Sequence, residues 1–436
     1  MTNKTLGLDF GTTNSVAALL SEDGTPTPLE FQHHANAMSV FRSVLCFWEE
    51  QSGRATLRLD TAGPWAIERF IEDPHDCRLV QSFKSFAASR LFNETLIFGK
   101  RYAFEDLLST FLGNFWQNSG IGGCAPPKRI IMGRPVSFVG ANPDEALAIK
   151  RYETALRRFG FNEIHYVYEP VAAAFFFAQR LTRDANVLVA DFGGGTSDFS
   201  VIRFGQSGSG IRSIPMGHRG LPLAGDTFDY RIIDNAISPQ MGKGSRYLSI
   251  NKQLEIPGQY YVSFARWNEL SLLRSPATLR ELKQLADTAL EPDELNRFIR
   301  LLETNAIYAL YRSVSDAKVT LSGADGARLK LDAPGVQLEA DIERADFENW
   351  IAEDVARIGH AVDTLLADIG LVNTGIDRVF LTGGTSFVPA VRRLFSERFG
   401  DEKIETGNQF DSIAQGLALI GQERDIGRWN VKNLPA

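Results

Sequence analysis

The chain writes nearly the same phrase twice in its first half. The first copy is Leu6-Gly7-Leu8-Asp9-Phe10-Gly11-Thr12-Thr13-Asn14-Ser15, and the second is Val187-Leu188-Val189-Ala190-Asp191-Phe192-Gly193-Gly194-Gly195-Thr196-Ser197-Asp198. In each, a short apolar run ends in Asp, passes through Gly and Thr, and resumes as apolar residues, Val16 to Leu20 in one and Phe199 to Phe204 in the other. That order predicts strand, tight turn, strand. Glycine lets the turn backbone approach a ligand and point successive N–H groups into a concavity that suits phosphate oxygens. Asp9 and Asp191, one at each strand end, are placed to hold a hard cation such as Mg²⁺, directly or through its waters. One Asp-x-Gly turn alone is ordinary hairpin chemistry without a ligand. Two copies, each with the Asp at the strand end and hydroxyls in the turn, favour a duplicated nucleotide-binding fold whose facing hairpins clamp one polyphosphate.

At 436 residues and 44% hydrophobic content, the chain is long enough for two or more domains with real cores. Its 46 Lys and Arg against 53 Asp and Glu give a net charge of −7 with no long run of either sign, which argues against nucleic acid or an anionic membrane as main partner. Cys46, Cys77 and Cys124 are far apart in sequence and odd in number, as expected of ordinary reduced thiols rather than a disulfide framework or a zinc site. Met1 to Phe10 has no charged-then-apolar leader, and the apolar stretch Val171 to Ala178 is too short to span a bilayer, so a cytoplasmic location is expected. There is no Walker A loop: Gly242-Lys243 is followed by Gly244 where Ser or Thr is needed, and Ile237 stands in place of the earlier Gly. A protein kinase is set aside too, because Asp-Phe-Gly occurs twice and the His218-Arg219 pair is followed by Gly220 and lies after both copies.

The rest of the chain alternates strands and helices. A helical stretch is predicted over Phe104 to Gln117, a buried strand over Arg129 to Gly133 closing at Pro135, and a helix opened by Asn142-Pro143-Asp144-Glu145, with Pro143 in its first turn, running to about Phe159. A strand at Ile164 to Tyr168 leads into a helix at Glu169-Pro170. From Gly225 to about Asp341 the pattern is mainly helical, with helices near Pro276 to Leu290 and Pro292 to Lys318. A helix from Arg344 to Ile369, a strand Arg378 to Leu381, a Gly383-Gly384 turn, a helix Val388 to Phe399 and a short helix Ser412 to Gln422 complete it. This predicts an α/β architecture of two similar lobes. Lobe I takes residues 1–37, 128–186 and 405–426 with an insertion at 38–127; lobe II takes 187–226 and 342–404 with an insertion at 227–341; 427–436 form a tail. Tyr260, Tyr261, Phe264 and Trp267 in the second insertion are expected in a core, the commoner fate of large aromatics.

With these residues assembled, the chain closely resembles the ATPase domain of the seventy-kilodalton heat-shock chaperones, the DnaK type, within the actin and sugar-kinase superfamily. Five motifs carry the resemblance in family order: the Asp9 hairpin, the Glu169-Pro170 helix start, the Asp191 hairpin, Gly225 to Asp229, and Leu381-Thr382-Gly383-Gly384-Thr385. In length the chain is similar to the short bacterial YegD-type relatives. The resemblance implies a duplicated actin-like (ribonuclease H-like) ATPase fold, with two lobes around a nucleotide cleft and a subdomain inserted in each. It implies ATP or ADP with Mg²⁺ as cofactor, held by Gly11, Thr12, Thr13 and Asn14 on one side and Gly193, Gly194, Gly195 and Thr196 on the other. Asp9, Asp191 and Glu169 would organise the metal, Glu169 through water. Gly225, Gly383, Gly384, Thr385, Lys318 and Ser322 would contact or border the adenosine. Lys84, in Ser82-Phe83-Lys84-Ser85, matches the family's catalytic lysine, and Asp198 an acid near the attacking water; with Glu169, Asp191 and Thr196 they form the implied catalytic set. Pro135 resembles the family's switch proline, though a proline there also simply ends a strand.

The chain departs from the family in places. Phe387 stands where an adenine-stacking arginine is usual, and an aromatic ring stacks without charge assistance. Val319 and Ser315 replace an expected Arg and Glu. No counterpart of the family's linker, peptide-binding β-domain and helical lid follows before Ala436, so the expected protein is a slowly ATP-hydrolysing, chaperone-like switch without its own peptide-binding domain. Its expected partners are a protein client and an exchange factor, and it is expected to be a monomer. The alternatives on the same scaffold are a small-molecule (sugar or acid) kinase and a nucleotide-binding scaffold that does not turn over.

Overall fold

The computed structural model describes residues 4–73, 76–120, 127–140, 142–207, 210–250, 252–266, 270–304, 306–406, 411–423 and 425–431. It is a mixed α/β chain that falls into two compact units, Met1–Ala224 with Ile358–Ser386 and Arg392–Ala436, and Gly225–Arg357 with Phe387–Val391.

The first unit is built on two sheets that read alike. One runs, in spatial order, Glu163–Tyr168, Arg129–Arg134, Thr5–Phe10, Asn14–Leu20, Pro26–Pro28; the other runs Ile404–Thr406, Arg378–Thr382, Ala185–Phe192, Ser197–Ser207, Gly210–Leu221. In each, the first strand of a repeated-phrase hairpin is central. It pairs antiparallel with its own second strand, as in Asp9 opposite Val16 and Asp191 opposite Asp198, and parallel with a strand on its other side, as in Leu6 opposite Ile130 and Val187 opposite Arg378. Strands covered on both faces read as continuous apolar runs, and Val187 to Phe192 are all buried.

Two helices lie against these sheets. Glu169–Ala178 is apolar nearly all round, as a helix buried on every side must be; its Phe177 stacks on Phe380 of the second sheet with centroids 4.1 Å apart. Ser412–Ile420 covers the first sheet so closely that a Cβ on Gly7 would sit 2.3 Å from the Ala414 carbonyl oxygen. The helices cross where Gly416 meets Ala172, and a Cβ on Gly416 would lie 1.8 Å from the Ala172 carbonyl oxygen.

The second unit is less helical than its sequence suggests. Besides helices such as Pro276–Ala286 it carries two hairpins, Arg246–Ser249 with Lys252–Glu255 and Gly326–Ala333 with Val336–Glu343. The latter alternates buried and exposed residues around a turn in which Gly335 takes φ 75°. The helix expected over Pro292 to Lys318 is two helices, Pro292–Glu303 and Ala306–Gly323; Thr304 is extended (φ −96°, ψ 168°) and ends the first. The helix expected over Pro276 to Leu290 stops at Ala286.

In the first unit, Pro143 lies before its helix rather than in the first turn. Asp144 caps Glu145–Arg157 by accepting the Leu147 N–H at 3.0 Å, so the helix starts two residues later, at Glu145. Tyr260, Tyr261 and Phe264 are buried as expected, while Trp267 lies outside the described residues. Cys46 and Cys77 are free thiols, and Cys124 lies outside the described residues. Among the described residues, no helix is long and apolar enough to cross a membrane.

Gly416→Val forces side-chain carbons into backbone, and overpacking of this kind costs about 1–3 kcal/mol or more. We expect a fall of several degrees in thermal midpoint, measured by circular dichroism; an unchanged midpoint contradicts the helix crossing.

Candidate active site

The two hairpin turns approach each other. A Cβ on Gly11 would sit 2.2 Å from the Asn14 carbonyl oxygen, so the first turn closes only on glycine. In the second, the Gly193 N–H donates to the Thr196 carbonyl at 2.9 Å. A Cβ on Gly195 would come within 3.8 Å of Thr12 Oγ1, which puts the Thr12 and Gly195 turns face to face. The turn after Arg378–Thr382 joins them: Gly383, at φ 83°, lies so close to the second hairpin that a Cβ there would be 2.0 Å from the Phe192 carbonyl oxygen. Space beside Gly384 is open, and Thr385 is buried.

Behind the turns sits a charge cluster. Lys84, on the short 3₁₀ turn Phe83–Phe86, is 9% exposed and donates from Nζ to Glu169 Oε1 at 2.8 Å. Asp191 is buried directly across the hairpin from Asp198, which is 1% exposed. Asp198 Oδ1 accepts the Val136 N–H at 2.8 Å, tying the second hairpin to the segment that follows Arg129–Arg134.

Burial, reinforced by the charge of Glu169, raises the Asp9 carboxyl from 3.8 to about 7, with Lys84 only partly opposing it. Burial and Glu169 likewise lift Asp198 to about 7, against the hydrogen bonds from Thr196 and Val136. Asp191 is raised well above its ordinary value by burial, then by Glu169, Asp9 and Asp198. For Lys84, burial works to lower the value, but Glu169, Tyr152 and Asp9 outweigh it and hold the ammonium charged. One lysine thus faces four carboxylates in a water-poor setting. An all-oxygen donor set carrying surplus negative charge is the chemistry that suits a hard divalent cation such as Mg²⁺.

Two arginines that sequence reasoning missed hold this arrangement in place. The Arg151 guanidinium donates to the carbonyls of Phe86 and Ala87 at 2.9 Å, Ser89 at 3.1 Å and Phe92 at 2.5 Å, fixing the chain just after Lys84. The turn is also anchored from below, since Phe83 packs on Phe10 with centroids 5.4 Å apart, and Phe10 follows Asp9. Arg134 donates to the carbonyls of Pro135 (3.0 Å) and Val136 (3.3 Å) and to Glu145 (2.9 Å), with Phe138 and Tyr168 rings beside it. It therefore positions the Val136 N–H that Asp198 accepts. Neither residue has a local sequence signal; a buried arginine and a surface one look alike in a sequence.

Of the residues singled out in the sequence, Asp9, Gly11 to Asn14, Lys84, Glu169, Asp191, Gly193 to Thr196, Asp198 and Gly383 to Thr385 all lie in the first unit. Gly225, Lys318, Ser322 and Phe387 lie in the second. There Lys318 Nζ donates to the Gly225 carbonyl at 3.1 Å and pairs with Asp229 at 2.8 Å, while Ser322 Oγ donates to the Lys318 carbonyl at 3.1 Å. Phe387 is exposed.

Comparison with known proteins gives the chain its class. Residues 150–252 and 299–431 match the sequence model of the family described as "Hsp70 protein". Relatives described as "Chaperone protein DnaK", from two strains of Thermus thermophilus, are each 26% identical over 438 residues, an alignment covering 97% of this chain and 62% of the relative. The chain belongs to the Hsp70 family, and it spans about 62% of the length of these relatives.

The raised carboxyls make stability depend on pH in a definite direction. With folded-state values near 7 against an ordinary 3.8, Asp9 and Asp198 keep protons between about pH 4 and 7 that the unfolded chain has lost. Folding therefore loses their contribution as pH rises through 7. In metal-free buffer, we expect the thermal midpoint to fall from pH 5 to pH 8 more steeply in the native chain than in Asp9→Asn. Parallel profiles contradict the assignment.

Proposed function

We propose that the chain is a Mg²⁺-dependent, ATP-binding and slowly ATP-hydrolysing molecular switch. Its membership in the Hsp70 family supports a chaperone-type nucleotide-binding ATPase. The observation that carries the reading is the buried Lys84–Glu169 pair set among Asp9, Asp191 and Asp198, behind two glycine-rich turns that face each other. The matching strand order of the two sheets supports a duplicated actin-like fold with one lobe on each sheet. The cytoplasm is the proposed compartment.

In this reading the N–H groups of Gly193 to Thr196 and the hydroxyls of Thr12 and Thr13 bind the terminal phosphates, with Gly11 and Asn14 shaping the first turn. Asp9 and Asp191, with Glu169 through water, would hold Mg²⁺, which supplies charge neutralisation at the phosphates. Lys84 adds a fixed positive charge where negative charge develops on the transferring phosphoryl group. Asp198 orients the attacking water and takes its proton, a task suited to a carboxyl whose value lies near 7. Gly383, Gly384 and Thr385 border the adenosine. In the second unit, Gly225, Lys318, Ser322 and Phe387 carry nucleoside contacts by resemblance to the family. The output is a protein partner whose affinity changes with nucleotide state; an exchange factor that resets the switch is part of the same proposal.

Asp191→Ala and Thr196→Ala are each expected to lower ATP turnover by about a hundredfold or more, measured as phosphate release; native-like turnover in either sinks the proposal. Lys84→Ala is expected to bind a fluorescent ADP while losing turnover, and loss of binding instead makes Lys84 structural. Turnover stimulated by a sugar, with matching ADP release, would reassign the chain to small-molecule kinases.

A further inference from the structure

Away from the phosphate turns, the first unit brings two adjacent histidines and a glutamate to one point. Phe31–His33 and Asn36–Met38 form a small hairpin in which His33 pairs with Asn36 across a two-residue turn. Neighbouring side chains on a strand point to opposite faces, so His33 and His34 would ordinarily point apart. His34 instead leaves the strand at φ 52°, a left-handed conformation uncommon outside glycine. Its ring swings back to lie 4.4 Å, centroid to centroid, from that of His33.

Both rings meet the same carboxylate. Glu68 lies on the helix Pro64–Glu72, and its two oxygens divide between the histidines: Oε2 is 3.0 Å from His33 Nε2, and Oε1 contacts His34 Nε2. One donor atom from each of the three residues lies within 4.8 Å of the others. His33 Nε2 is buried and, despite the nearby carboxylate, makes no aligned hydrogen bond. The elements bearing the ligands are firmly seated: the Trp65 ring stands edge-on to His33 at 5.2 Å, and Phe31 packs on Phe41 and Phe115 with centroids 4.8 Å away.

Exposure is graded across the cluster. The His33 side chain is 14% exposed, Glu68 37% and His34 70%, so the group is anchored on one side and open to solvent on the other. An ion can enter there, and water can fill the remaining coordination positions. Two imidazole nitrogens with one carboxylate are a donor set for a borderline transition metal, whereas Mg²⁺ and Ca²⁺ take oxygen ligands.

We propose that His33, His34 and Glu68 form a binding site for a divalent cation of the zinc class, separate from the phosphate turns, which clips the Phe31–Met38 hairpin to the Pro64–Glu72 helix. With the ion bound, Nε2 of each histidine and the Glu68 carboxylate are its protein ligands, and the fourth position is left to water or an outside ligand.

The test is calorimetric titration of ZnCl₂ into the full, untagged chain with Mg²⁺ in excess, beside His34→Ala, Glu68→Gln and a Cys46→Ser/Cys77→Ser variant. One zinc ion should bind per chain, with affinity falling at least about tenfold in His34→Ala and in Glu68→Gln and unchanged in the cysteine variant. Zinc should also raise the thermal midpoint of the native chain and not that of His34→Ala. Because His34 is exposed, its variant should have the native midpoint without metal, which separates loss of a ligand from loss of fold. Co²⁺ bound in place of zinc should show visible d–d absorption without a thiolate charge-transfer band. The proposal is overturned if zinc does not bind, if His34→Ala or Glu68→Gln binds it as the native chain does, or if binding disappears with the cysteines.

Discussion

The contact between Lys84 and Glu169 is the one on which the site depends. Two opposite charges taken out of water cost several kcal/mol each unless they find one another, and removing one partner of such a pair costs about 3–5 kcal/mol. Here the ammonium is the nearest counter-charge to a set of buried carboxylates that raise one another's proton affinity. The pair joins two segments far apart in the sequence, because Lys84 belongs to the turn Phe83–Phe86 and Glu169 opens the helix Glu169–Ala178. Moving that turn changes the charge balance at Asp9, Asp191 and Asp198 at the same time.

The surrounding structure limits that movement. Arg151 spends its guanidinium on four carbonyls following Lys84, and Phe83 packs against Phe10 beside Asp9. On the other side, Arg134 steadies Pro135 and Val136, and Val136 donates to Asp198. Strand, arginine, proline segment and second hairpin thus form a continuous series of contacts. A proline at a strand end becomes part of the site through its neighbour's N–H.

What was legible beforehand follows the range of each physical cause. The hairpins were legible because apolar runs, Gly and Asp lie within a dozen residues of each other. Arg344–Asp368 and Glu169–Ala178 were legible because helical periodicity and an early proline are local as well. The break at Thr304 was missed, since neither Gly nor Pro marks it. The hairpin Gly326–Glu343 was also missed, although its strict alternation and the Pro334-Gly335 turn announced it. Lys84 entered only through family resemblance, because its partner is 85 positions away.

By itself, then, the sequence determined the two glycine-rich turns, the carboxylates at their strand ends and the alternation of strands and helices. Each of these is set by neighbours along the chain, through backbone sterics and apolar spacing. Only the tertiary structure decided that Lys84 meets Glu169, that Arg151 and Arg134 are buried braces, and that His33, His34 and Glu68 converge. Those outcomes depend on desolvation and Coulomb forces between residues far apart in sequence, and on one left-handed residue, His34, whose backbone no composition announces.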